Sequence, residues 1–168
     1  MERRSIEAVV RALNQADVRY LVCGGLAVVA HGYVRFTADI DLFLELDEEN
    51  LRQALAALGG LGYRPRAPVA LAEFADAAKR RAWVAQKGLT VFSLDSPEHP
   101  ATEIDLFVEP PLDFDAAYAR AVRLEVAPGL PATFVSCEDL LAMKRQAGRA
   151  QDVEDIEKLS TLRRARET

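Results

Sequence analysis

A single α/β (α+β) domain, with a mixed β-sheet flanked by helices, is the fold class this sequence predicts. Three observations predict it. Short apolar runs of strand length, such as Tyr20-Leu21-Val22-Cys23, alternate with longer stretches of helical periodicity. Half of the 168 residues are hydrophobic and 28% are charged, an ordinary balance for a chain that buries one core. No internal repeat, low-complexity tract or long linker divides the chain, so residues 1–168 read as one domain, with a core over 18–110 and a C-terminal helical part over 136–166.

The first helix is expected from Ser5 to Gln15, with Ser5 as its N-cap and Ile6, Val9, Val10 and Leu13 on one face. Tyr20–Cys23 reads as a buried strand stopped by Gly24-Gly25, after which Leu26–Ala30 restarts as a helix closed by Gly32. Asp39–Leu44 reads as a second strand, whose alternation puts Asp39 and Asp41 on one face. Glu48–Leu58 is an amphipathic helix ended by glycines, and Leu71–Gln86 is expected to be one further helix. Leu89–Leu94 and Glu103–Val108 form a strand pair across a Pro-containing turn. Pro110-Pro111 breaks the chain before a helix near Phe114–Ala121. Leu124–Ala127 and Ala132–Val135 flank Pro128-Gly129 as a hairpin. Ser136 opens a helix through the capping box Ser136-x-x-Asp139, and a last helix covers Gln151–Arg164.

No apolar run approaches the ~20 residues that cross a bilayer. The start Met1-Glu2-Arg3-Arg4 does not lead into a secretory apolar region, and two cysteines are too few for a disulfide framework. A cytoplasmic protein with reduced thiols and no membrane contact is the expectation. The net charge of −5 argues against coating nucleic acid by bulk electrostatics. That average conceals a pattern. Residues 39–50 carry six acids and no base, residues 95–115 carry seven acids and no Lys or Arg, and Arg64 to Lys87 carries six bases against two acids. Two acidic blocks that fold together repel unless cations lie between them.

The chemistry concentrates in Gly24-Gly25, then Asp39-Ile40-Asp41, then Glu103-Ile104-Asp105. A glycine pair after a strand lets backbone N–H groups approach a phosphate closely. Two aspartates at i and i+2 on a strand point the same way and offer hard oxygen ligands. A third carboxylate from a neighbouring strand completes a site for two cations, which suits in-line displacement at a phosphorus. Taken singly, a D-h-D strand or a Gly-Gly turn is common; their order and spacing are more specific.

These residues resemble the DNA polymerase β-like nucleotidyltransferase superfamily, whose pattern is h-G-[GS], a short gap, D-h-[DE]-h and a later third carboxylate. Cys23-Gly24-Gly25 and Asp39-Ile40-Asp41-Leu42 match it, and Asp105 is the best third acid. More narrowly, His31-Gly32, Arg35-x-Thr37, Asp139 to Lys144 and Gly148 to Ile156 are similar to the AbiEii-type toxin branch and its small relatives. The resemblance implies a nucleotidyltransferase fold and Mg²⁺-dependent transfer of an NMP from an NTP to a hydroxyl of RNA, a tRNA end or a protein. It assigns Asp39, Asp41 and Asp105 to catalysis and to two Mg²⁺ ions, and Gly24, Gly25, Arg35, Thr37 and Lys144 to the nucleotide. It also makes an antitoxin a candidate partner and leaves homodimerisation open. Two rival readings stand beside it: an inactive binding module that kept the fold, and a small-molecule transferase of the antibiotic-modifying kind.

The remaining residues divide between structure and site. Glu103 shares the Asp105 face and is either a fourth ligand or a solvated acid. On the residues alone Lys144 is an exposed lysine of an amphipathic helix, and the resemblance aims it at the β- and γ-phosphates. Arg35 is placed to contact phosphate or to stabilise Asp39. His31 is read as a hydrogen-bonded structural residue, Arg149 and Asp152 as a structural pair, Trp83 and Phe74 as core, and His99 as without a signal. The Arg64–Lys87 stretch is a solvated face unless it borders the acidic cleft, where it would receive a phosphorylated acceptor.

Overall fold

The computed structural model describes residues 1–167. Seven strands, β1 (Tyr20–Cys23), β2 (Asp39–Leu44), β3 (Arg64–Pro65), β4 (Val91–Asp95), β5 (Glu103–Phe107), β6 (Val122–Ala127) and β7 (Leu130–Phe134), form one mixed sheet in the order β3-β4-β5-β2-β1-β7-β6. Among the described residues seven α-helices accompany it: α1 (Arg3–Gln15), α2 (Gly24–Ala30), α3 (Glu48–Gly60), α4 (Ala77–Lys87), α5 (Phe114–Ala119), α6 (Cys137–Ala147) and α7 (Ala150–Glu167). α1 packs on α3 and β7, while α2 lies against β2 and α6, and α6 against α7.

The centre of the sheet follows from apolar content. Tyr20, Leu21, Val22 and Cys23 are all buried, which suits β1, the strand between antiparallel β2 and parallel β7. On β2 and β5 the alternation is strict at the N-terminal ends: Ile40, Leu42, Ile104 and Leu106 are buried, while the acids between them are partly exposed. This period of two leaves the acids on the other face.

Several expectations need correction. α1 begins at Arg3, and Ser5 is not its cap; the Ser5 hydroxyl is buried and bonded to His99 Nδ1 at 2.9 Å. The single helix expected over Leu71–Gln86 is a 3₁₀ turn (Leu71–Ala75) and α4, divided at Asp76. Asp76 has an extended backbone and accepts the amides of Ala78 and Lys79, so its side chain starts a new helix within the run. β6 and β7 lie beyond the 18–110 segment yet join the same sheet, because Pro110-Pro111 interrupts the chain without interrupting the pairing at β1. The Ser136 cap forms as the box requires, its hydroxyl accepting the Asp139 amide at 3.1 Å.

Candidate active site

β2 and β5 are parallel neighbours with Asp39 opposite Glu103 and Asp41 opposite Asp105. Adjacent strands lie about 4.8 Å apart, so four carboxylates occupy two neighbouring register steps of one face. The third acid thus lies 64 residues downstream of Asp41 yet sits beside the first two. Ser93 on β4, the register partner of Asp105, donates its hydroxyl to Asp105 Oδ1 at 2.5 Å.

The glycine pair makes room for this cluster. Gly24 has φ +59°, and a Cβ there would lie 1.8 Å from Asp41 Oδ2. A Cβ on Gly25 would lie 2.4 Å from Thr37 Oγ1 and 3.2 Å from Arg35 Nη1. Only glycine allows the Asp41 carboxylate to rest against the start of α2. The pair therefore serves side chains of the protein itself, a role the spacing did not reveal.

The electrostatics are those of an anionic site only partly compensated by the protein's own cations. Burial, then the charges of Asp105 and Asp39, push the Asp41 carboxyl up to about 6. Asp39 is raised for the same reasons, burial first and then Asp105 and Glu103, while Arg66 opposes them. Arg66 also donates to Glu103 at 3.0 Å. Among the described residues no three His, Cys, Asp or Glu side chains are already grouped tightly enough to enclose an ion. The donor set nevertheless suits a hard divalent cation: adjacent carboxylate oxygens, of which Asp39 and Asp41 are raised by burial first and then by neighbouring acids, and a close approach at Gly24 against which Asp41 rests.

Beside Asp41 lies a second cluster of opposite character. Lys144 is buried and donates to Asp152 at 2.9 Å, with Asp155 2.7 Å away. Arg35 binds both oxygens of Asp155 at 2.8 Å each, and Arg149 donates to Asp152 at 3.1 Å. Burial disfavours charge on both acids, but hydrogen bonds from Lys144 and Arg149 hold Asp152 below its usual range, and those from Arg35 and Lys144 do the same for Asp155. Three cations on two anions leave one positive charge in excess.

The expected nucleotide residues thus fall in different places. Arg35 is committed to Asp155, and Thr37 packs on Gly25. Lys144 is not the exposed lysine of an amphipathic face but a buried, doubly paired one. Arg149, paired with Asp152 as expected, keeps a largely exposed side chain. Gly24, Asp41, Lys144, Arg149 and Asp152 all line one cavity of about 350 Å³ between the end of β5 and α6. His31 Nε2 bonds the Val135 carbonyl at 2.8 Å, Phe74 is buried, and Trp83 stacks on Phe92, all structural roles. Ser93 and Arg66 escaped notice because a lone serine on a strand and one arginine in a basic stretch carry no spacing signal.

With this geometry in place, residues 4–165 match the family described as nucleotidyltransferase of unknown function (DUF6036). The chain belongs to that family. A search of curated protein sequences finds no match. Solved structures reveal the same fold at low identity. The lincosamide antibiotic adenylyltransferase LnuA, in its lincomycin-bound crystal structure, is 15% identical, with 96% of this chain and 98% of that one covered and a TM-score of 0.63. ANT(2")-Ia, in complex with adenylyl-2"-tobramycin, is 20% identical, with coverage of 99% and 98% and a TM-score of 0.57. An antigenic nucleotidyltransferase-like protein from Paracoccidioides brasiliensis is 19% identical, with coverage of 95% and 75% and a TM-score of 0.59. These likenesses establish that this DUF6036 chain has the nucleotidyltransferase fold. No described helix is long and apolar enough to cross a membrane.

Proposed function

We propose that this nucleotidyltransferase moves an NMP from an NTP to the hydroxyl of a small molecule, with Mg²⁺ held by Asp39, Asp41 and Asp105. The observation that carries the reading is the parallel register of β2 and β5, which sets Asp41 beside Asp105 with no cation bonded to either carboxylate among the described residues. These carboxylates would hold Mg²⁺, which would supply charge against the triphosphate and ease loss of the acceptor proton.

The protein's own groups divide the remaining work. The start of α2 at Gly24-Gly25 offers backbone N–H groups to the phosphates. Arg149, exposed at the cavity, meets the departing pyrophosphate, while buried Lys144 adds its field without leaving its carboxylates. Asp105, held by Ser93, receives the proton of the incoming hydroxyl. The acceptor oxygen bonds to the α-phosphorus as the bond to pyrophosphate breaks, in line and from the opposite side.

A small acceptor is favoured over RNA by the fate of the basic stretch. Arg64 donates to the carbonyls of Gly59 and Tyr63, Lys79 pairs with Glu73, Arg80 is buried against Phe74, and only Arg66 adjoins the acidic site, where Glu103 engages it. Arg81 and Lys87 are exposed on α4, and among the described residues Arg66 is the one base of this stretch bonded to an acid of the site. Near-complete mutual coverage with two antibiotic adenylyltransferases supports the same class. The toxin reading, with its RNA or protein acceptor and antitoxin partner, ranks second and rests on the motif resemblance.

The test is transfer of label from α-labelled ATP with Mg²⁺, offered hydroxylated small molecules (lincosamides and aminoglycosides included), RNA and cell protein. Label should enter a small molecule and fall roughly 10³-fold in Asp41→Asn. Labelled RNA or protein would replace the acceptor class, and undiminished transfer by the variant would remove the site.

A further inference from the structure

The lining of the cavity beside Asp41 mixes two chemistries. Gly24, Asp41, Lys144, Arg149 and Asp152 belong to the site already described. Phe107, Pro110, Pro111, Leu140 and Met143 make the apolar half of the lining, and the Glu109 side chain lines the same cavity. Phe107 follows Asp105 by two residues on β5, so it continues the face that bears the acids by one pleat. Its ring meets that of Phe43 on the neighbouring strand β2 edge to face, with centroids 6.4 Å apart at an interplanar angle of 73°. Pro110 and Pro111 add rigid rings to the lining, so little ordering is left to be done on binding. Leu140 and Met143 are buried on α6 and add apolar surface. Glu109 is exposed, and no hydrogen bond or ion pair engages it among the described residues.

From this arrangement we infer that the apolar half is a nucleobase slot, in which Phe107 and the two prolines sandwich an amino-bearing purine and Glu109 accepts a hydrogen bond from its exocyclic amine. The inference rests on the nucleotidyltransfer reading and assigns the donor end of it. The acceptor has no claim on this space. An in-line reaction brings the acceptor opposite the leaving pyrophosphate, and the cations that suit pyrophosphate line this cavity, so the acceptor enters from the Asp39, Glu103 and Arg66 side. A flat ring is the occupant that an aromatic face and two proline faces complement. A lone carboxylate acceptor on that wall selects a base edge with a donor over one without.

Calorimetry with Mg²⁺ separates this claim from the one beneath it, using three probes: ATP, its analogue lacking the 6-amino group (purine riboside triphosphate), and inorganic tripolyphosphate. Wild type should bind all three, ATP most tightly. Phe107→Leu, which keeps an apolar filler, should weaken ATP by roughly tenfold, the usual scale for loss of one aromatic stack, and leave tripolyphosphate unchanged. Glu109→Ala, at an exposed position, should erase the preference for ATP over purine riboside triphosphate. ATP binding no tighter than tripolyphosphate, or a preference that survives Glu109→Ala, would overturn the slot and leave the phosphate site standing. Failure of wild type to bind any of the three would overturn both.

Discussion

Two carboxylate clusters lie side by side in this molecule, and they have opposite electrostatic fates. At the C-terminal helices, Asp152 and Asp155 are buried but matched by Arg35, Lys144 and Arg149, and their carboxyls are held below the usual range. On the sheet, Asp39 and Asp41 face Glu103 and Asp105, and Asp39 and Asp41 are raised. The same residue type is a structural clamp in one place and an open valence in the other. The difference lies in whether the chain itself supplies the counter-charge. Arg66 offsets Glu103 alone by direct contact, and acids left so thinly matched are unfavourable to the fold by themselves, which is the pattern expected where a site serves function before stability.

Breaking the clamp should have the largest effect on stability. Asp155 is fully buried, and Asp155→Asn leaves Arg35 and Lys144 short of a counter-charge; denaturant unfolding should show a loss of about 3–5 kcal/mol. A loss below about 1 kcal/mol would mean that the clamp is ornamental. Its stabilisation is present above the ordinary aspartate value and fades as pH falls through the depressed value in the fold.

The next effect concerns the boundary between the clusters. Gly24→Ala forces a Cβ onto Asp41 Oδ2 in a left-handed backbone, so Asp41 must move. Transfer activity should drop by about 10²-fold, the usual consequence of an ångström's displacement at a reacting centre, while a substitution at Gly60, which has open space, should leave it unchanged.

A smaller effect, of reversed sign, belongs to the open cluster. Folding raises the Asp41 carboxyl from 3.8 to about 6, so the native state binds that proton more tightly than the unfolded chain does. The resulting stabilisation is complete below 3.8 and is lost as pH rises through about 6. Asp41→Asn carries no charge to lose, so with chelator present it should exceed wild type by on the order of 2 kcal/mol at neutral pH and converge with it in acid. Mg²⁺ should remove that advantage by stabilising wild type alone. A variant less stable than wild type at pH 7 would contradict the claim of only partly compensated charge.

The comparison also explains what was legible in the sequence. Asp39, Asp41 and Asp105 could be found because strand periodicity places alternate residues on one face whatever the tertiary details. Six of the strands were legible too, from apolar runs, alternation and the turn at Pro128-Gly129, whereas β3 was not, since the two residues Arg64–Pro65 are too few to show a period. Pairing partners were not. Nothing in the local pattern around Lys144 reveals that Asp152 and Asp155 lie within reach, since that depends on how α7 folds back on α6. Arg35 was expected near phosphate and instead braces a carboxylate 120 residues away. The split of the Leu71–Gln86 helix was hidden because Asp76 acts as a cap through its own side chain, a choice that helical periodicity does not encode.

Binding of Mn²⁺ in the presence of ATP, followed by electron paramagnetic resonance on wild type and on the Asp39→Asn, Asp41→Asn pair, tests the central claim without knowledge of the acceptor. Wild type should take up Mn²⁺ only together with nucleotide or far more tightly with it, and the paired variant should lose that uptake while still folding. Equal Mn²⁺ uptake by both proteins would mean that the acidic face of β2 and β5 is not where the cations and the triphosphate meet.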